Sequence, residues 1–161
     1  MTDREYFIKL LKDELPRFER VFEALPTEQL NWRPHDRSKS AIELATSMAF
    51  EAGTYPIILK TGKLEFSEVP QPDATDVKGL SAHFKKFLEE GSRIASGMTD
   101  DEWASPAVMS SGGHSEWETT RGEMVWGMLL DLIHHRGQLS VYVRPMGGKV
   151  PSIYGPSADT Q

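Results

Sequence analysis

No cysteine occurs among the 161 residues, so the chain has neither a disulfide framework nor a protein thiolate to act as nucleophile or metal ligand. Long apolar runs are also missing. None approaches the ~18 residues that would cross a bilayer as a helix, and Met1 leads into charged residues rather than a basic and then apolar leader. A soluble, cytoplasmic protein with no membrane partner is expected. Positive charge is scarce too: 18 Lys plus Arg face 24 Asp plus Glu, a formal net charge of -6, with no basic block. That balance disfavours nucleic acid as a partner. Internal repeats and low-complexity tracts are absent. What remains is a length suited to one domain, residues 1–161, with enough apolar residues for a core.

Four segments carry helical periodicity. From Asp3 to about Leu25, Phe7, Leu10, Leu11, Phe18, Val21 and Phe22 form an apolar stripe. Pro16 should kink or split this helix, and the kink should swing Glu14 from the apolar face to solvent. A polar connector follows and ends at Ser40, which with Glu43 has the spacing of a capping box. On the second helix, which starts there, Leu44, Ser47, Met48, Glu51 and Tyr55 share a face. Pro56 marks a kink or the last turn, and Gly62 lies just past the end. Residues 61–75 read as a surface loop. Asp76 can cap a third helix whose stripe runs from Val77 to Met98 and includes Gly91, where another helix can approach closely; His83 flanks it as an ordinary, partly exposed histidine.

Between Thr99 and Thr120, short candidate strands flank Gly112 and Gly113. A small loop or hairpin is expected, pinned to the helices by Trp103 and Trp117, with His114 exposed. The last long helix spans about Thr120 to Met146 and stops at Gly147 and Gly148. Beyond it an extended tail offers Ile153 and Tyr154 as anchors.

The last helix holds the functional lead. At about 3.6 residues per turn, Met124, Met128, Asp131, His135, Leu139 and Tyr142 share one face, so an acid and an imidazole interrupt an apolar stripe. Burial of such groups is costly unless they pair or bind a cation. Spacing of i and i+4 brings both within reach of one ion, and Ser47 and Glu51 on the second helix are the candidates to complete the site. Met48, Tyr55, Met128 and Tyr142 would line a pocket with Ser47, while His134 and Gln138 would support the ligands from behind. An Asp131 that merely holds His135 in one tautomer is the plain alternative. Trp126, Leu129, Leu130 and Ile133 make a second apolar face, for which the same helix of another copy is one partner, giving a two-fold homodimer. The Trp103–Trp117 loop with the tail is the other.

The run LDLIHHRGQLSVYVRPMGGKVPSIYGPSAD, residues 130–159, resembles the C-terminal part of the DinB-like superfamily, the damage-inducible and YfiT-like candidate metalloproteins. LPTEQLNWRPHDRSKSAIELATSMA, residues 25–49, is similar to that family's first connector and second helix. The most specific piece is His-Arg-Gly-Gln-Leu at 135–139, with Tyr142 and Arg144 following. The resemblance implies an all-α four-helix bundle with a long crossover loop, commonly dimeric. It also implies a site for a divalent metal (Zn, Ni, Mn or Fe) built from one histidine of the second helix and two, spaced by four, of the last. His135 matches the final ligand, Asp131 stands in place of the histidine before it, and Ser47 occupies the second-helix position. Glu51, one turn on, can substitute if its side chain reaches back. Some members of that family are transferases or isomerases that use bacillithiol, mycothiol or glutathione. The expected activity is therefore a metal-assisted, thiol-dependent transfer or a hydrolysis on a small-molecule substrate, with the thiol arriving as a cosubstrate. The alternative is a metal-free degenerate member acting as a small-molecule or protein binding module.

Overall fold

The computed structural model describes residues 1–112 and 114–160. Helices α1 (Asp3–Glu23), α2 (Ala41–Ala52), α3 (Thr54–Thr61), α4 (Val77–Gly97), α5 (Asp100–Trp103) and α6 (Arg121–Val143) dominate, with strands β1 (Lys63–Glu65), β2 (Pro106–Ser111) and β3 (His114–Thr120) between them. The expectation of an all-α fold is corrected here: the strands form one sheet in the order β1-β2-β3.

Local chemistry sets the helix starts. Thr2, Ser40, Thr99 and Thr120 each close a reciprocal capping box with the glutamate three residues on, satisfying orphan amides of the first turn. Asp76 caps α4 through its carboxylate, which accepts from the Gly79 amide at 2.7 Å. The second periodic segment breaks at Gly53 rather than at Pro56, giving α2 and α3. Pro56 falls in the first turn of α3, where the missing amide would have had no intrahelical partner anyway. Gly62, at φ 67°, ends α3 in the left-handed conformation glycine adopts without strain.

Helix α1 runs through Pro16 as one element, and Glu14 is buried rather than turned to solvent, at 1% exposure. Its carboxylate pairs with the equally buried Arg136 of α6 and with Arg17, and accepts from the Tyr154 hydroxyl at 3.0 Å. Charge pairing inside the core, not kinking, thus accommodates the acid on the apolar face. The Tyr154 hydroxyl also accepts from Arg136 Nη2 at 2.6 Å, so the tail is anchored there as its sequence suggested, though the ring itself is largely exposed.

Phe18 and Phe22 of α1 meet Phe84 of α4 at ring distances of 4.9 and 5.4 Å, at the centre of the core. At Gly91, an added Cβ would lie 2.9 Å from the Cβ of Tyr55, so the glycine does allow α3 and α4 to close on one another.

The segment 61–75 is not only loop. Lys63–Glu65 forms β1, which joins β2 in parallel with Leu64 opposite Met109, while β2 and β3 form the antiparallel hairpin with Met109 opposite Trp117. The ladder is interrupted between Met109 and Ser110. Gly112 has φ 57° at the turn, and Gly113, expected beside it, lies outside the described residues. Trp103 is buried and donates from Nε1 to Asp3 at 2.8 Å, and Trp117 lies on α6 at Gly127, where a Cβ would come within 2.4 Å of the indole. Both tryptophans pin the hairpin region as expected. Among the described residues, no helix is long and apolar enough to cross a membrane.

Candidate metal centre

Helices α2 and α6 pack together and carry the candidate ligands. Glu51 sits in the last turn of α2, while Asp131 and His135 are one turn apart on α6. One ligand atom from each of the three lies within 4.8 Å of the others. The sequence pairing of Asp131 with His135, and the nomination of Glu51 as the third group, therefore meet in one place. The idea that both α6 groups are buried is corrected: the Asp131 side chain is 55% exposed and that of His135 23%. The core-facing residues of this stretch are Leu129, Leu132, Arg136 and Leu139, which rotates the Asp131 edge toward solvent.

Glu51 is half-buried, but one of its carboxylate oxygens, Oε1, is fully enclosed. Its Oε1 has no hydrogen-bond partner, and burial, with the Asp131 carboxylate alongside and Lys39 opposing, pushes its carboxyl up to about 9. A buried carboxylate oxygen beside a second carboxylate is costly unless it carries a proton or meets a cation. The Tyr55 hydroxyl is buried and without a partner too, and burial and then the Glu51 and Asp131 charges push it upward.

The imidazole is oriented from behind. Gln138 Oε1 lies 3.0 Å from His135 Nδ1, and since an amide oxygen only accepts, the proton belongs on Nδ1. In the neutral ring, the Nε2 lone pair then faces Asp131 Oδ2 at 3.3 Å. A lone pair opposed to a carboxylate oxygen is repulsive until a proton or a cation lies between them. Two carboxylates and one imidazole suit borderline or hard divalent ions, and their two negative charges would neutralise such an ion in the partly buried setting. The residues present fit a divalent metal, with Gln138 in the supporting place assigned to it.

A cavity of about 480 Å³ opens beside the three groups. Ser47, Glu51, Met128 and Asp131 are in its wall, whereas Met48 and Tyr55 lie in the core, at 1% and 0% exposure. Tyr142 is buried against Trp32 at a ring distance of 5.2 Å, and its hydroxyl donates to the Lys39 carbonyl. Ser47 stands at the rim, its hydroxyl bonded to Lys39 and to the Glu43 carbonyl, and does not join the ligand group. His134 is exposed and outside the group, its ring 5.4 Å from that of His135. Sequence reasoning missed Lys39 and the roof of the cavity, Phe66, Met109 and Trp117. The Met109–Trp117 pairing across the hairpin and the β1–β2 pairing that precedes Phe66 build this roof, and no helical period signals either.

The family model described as "DinB family" matches residues 1–161. Two solved structures of DinB-like proteins, from Bacillus subtilis and Bacillus cereus, each superpose with a TM-score of 0.68 at 19% identity. The first covers 96% of this chain and 97% of that one; the second, 93% and 97%. The mycothiol-dependent maleylpyruvate isomerase superposes at TM-score 0.55 and 11% identity, over 98% of this chain and 64% of its own. At such identities these likenesses show a shared fold. No curated protein matches the sequence.

Proposed function

We propose, from the premise that this chain belongs to the DinB family, that it holds a divalent cation on Glu51, Asp131 and His135 and uses it on a small molecule, as a thiol-dependent transferase or a hydrolase. The observation that carries the reading is the convergence of three donors around a buried carboxylate oxygen with no other partner. A cation bound there would stabilise a thiolate or hydroxide at neutral pH. Because the chain has no cysteine, the thiol would be a cosubstrate, in keeping with the mycothiol dependence of the isomerase that shares the fold.

The protein's own part is positioning. Gln138 holds the His135 proton on Nδ1 and so aims Nε2 at the site. Glu51 supplies the buried charge, and Met128 and the Met109–Trp117 pair shield one side of the cavity from water. Leu130 and Val141, 63% and 70% exposed on α6, support a second part of the proposal: two copies associate through this helix.

Elemental analysis of untagged protein tests the site. About one equivalent of Zn, Ni, Mn or Fe is expected, and its loss in the Asp131→Ala, His135→Ala double variant. Metal-free protein after incubation with each salt would sink the reading. Glu51 and Asp131 would then share a proton, and the cavity would serve a binding module.

A further inference from the structure

Lys39 stands where two cavities meet. The inner one is the 480 Å³ cavity onto which Glu51 and Asp131 open; the outer, about 560 Å³, passes Arg33 and Arg37 along the connector before α2. Lys39 and Ser47 line both. The lysine is held at this junction from two sides. Its carbonyl accepts from the Tyr142 hydroxyl at 3.3 Å, and its ammonium donates to Ser47 Oγ at 2.5 Å.

Charge at the junction runs against that of the molecule. The chain as a whole carries -6, yet Arg33, Arg37 and Lys39 gather here, with Asp36 and Glu43 beside them on the outer cavity and Glu51 and Asp131 facing Lys39 across the inner one. Arg33 is engaged by Glu43 at 3.2 Å, while Arg37 and Lys39 make no ion pair among the described residues. The inner cavity differs in kind, walled by Phe50, Phe66, Met109, Trp117 and Met128. A divalent cation would neutralise Glu51 and Asp131, and without one the Asp131 carboxylate is largely exposed to water; in either state Arg37 and Lys39 are cations without an ion-pair partner among the described residues.

We propose that the molecule bound here has an apolar or aromatic body seated in the inner cavity and an anionic group, carboxylate or phosphate, held by Lys39 with Arg37 at the outer one. The inference rests on the Glu51, Asp131 and His135 site as the reacting end, but the anion contact itself needs no cation. Charge-assisted hydrogen bonds supply it, and added salt weakens it.

Three probes of one shape test the proposal by isothermal titration: naphthalene-2-carboxylate, 2-naphthyl phosphate and neutral naphthalene-2-carboxamide. On metal-free protein, at least one anion should bind about tenfold tighter than the carboxamide. This preference should shrink with salt, vanish in Lys39→Gln and persist in Lys39→Arg, which keeps the charge. Whichever anion shows the larger preference identifies the group. Equal binding of all three probes, no binding at millimolar concentration, or a preference that survives Lys39→Gln overturns the proposal. So does a preference confined to Zn-loaded protein and abolished by Asp131→Ala, since the cation would then hold the anion. If no metal binds yet the Lys39-dependent preference stands, the metal reading alone has failed.

Discussion

Replacing Glu51 by glutamine removes a group that the metal-free protein holds as a neutral acid and that a bound cation needs as a carboxylate. Its carboxyl is raised from the ordinary 4.5 to about 9, so across that interval the folded chain keeps a proton the unfolded chain has lost. Stability contributed by this group is complete below about pH 4.5 and drains away as pH climbs toward 9. Denaturant titrations at pH 6, 7 and 8 should show the metal-free protein weakening with pH, and Glu51→Gln should flatten that trend. Metal uptake by the unaltered protein should release a proton and tighten with pH over the same range. In Glu51→Gln, affinity should drop by more than the ~10-fold typical of losing a supporting residue. A pH trend unchanged by the substitution would refute the assignment. At this scale much was legible in the sequence: an acid and an imidazole one turn apart, and a second acid on a facing stripe. Burial was not. Asp131 was expected inside and lies outside, while Glu14 was expected outside and lies inside, because a helical stripe gives a direction only to within a residue or so and says nothing of which charge finds a partner. Arg136, which partners Glu14, is one residue from His135, yet only the packing of α6 on α1 reveals the pair.

The close crossing of α3 and α4 sets the cost of a substitution that helix propensity alone would favour. Gly91→Ala should add about 1 kcal/mol of intrinsic helix stability to α4. The new methyl, however, would lie 2.9 Å from the Tyr55 Cβ, an atom that cannot move without its backbone. Overpacking of this sort typically costs about 1–3 kcal/mol, so the net effect should be destabilisation, read as a lower denaturant midpoint. Stability equal to or above the parent would show that the helices separate freely. Because the Tyr55 hydroxyl lies within electrostatic reach of Glu51 across the α2–α3 break, the same substitution should also weaken metal retention. The elements themselves were mostly visible beforehand, since caps at Ser40 and Asp76 and long 3.6-residue periods mark them. Strand β1 was not. Three residues carry no measurable period, and its existence depends on β2 lying parallel to it across the whole of α4 and α5.

For the molecule as a whole, the outer face of α6 is an apolar surface that the fold leaves uncovered. The second apolar stripe divides in the fold. Leu129 enters the core, Ile133 is half-buried and Trp126 stacks on Tyr6, with ring centroids 5.9 Å apart, but Leu130 stays largely exposed, as does Val141, further along the helix and not counted in that stripe. If two copies bury this strip, folding and association are linked, and stability must depend on concentration. The midpoint of thermal unfolding should then fall on dilution from the high to the low micromolar range. Val141→Glu together with Leu130→Ser should abolish that dependence and sediment as a monomer, because a charge facing its own symmetry mate finds no partner. Metal content should survive the double change if each copy supplies Glu51, Asp131 and His135 from its own α2 and α6, as the geometry within one chain suffices to do. A parent protein that sediments as a monomer at every concentration would remove the dimer and leave the strip as ordinary exposed surface. A dimer whose metal vanishes with the interface would instead mean that the Asp131 edge of α6 is held in place by the second copy.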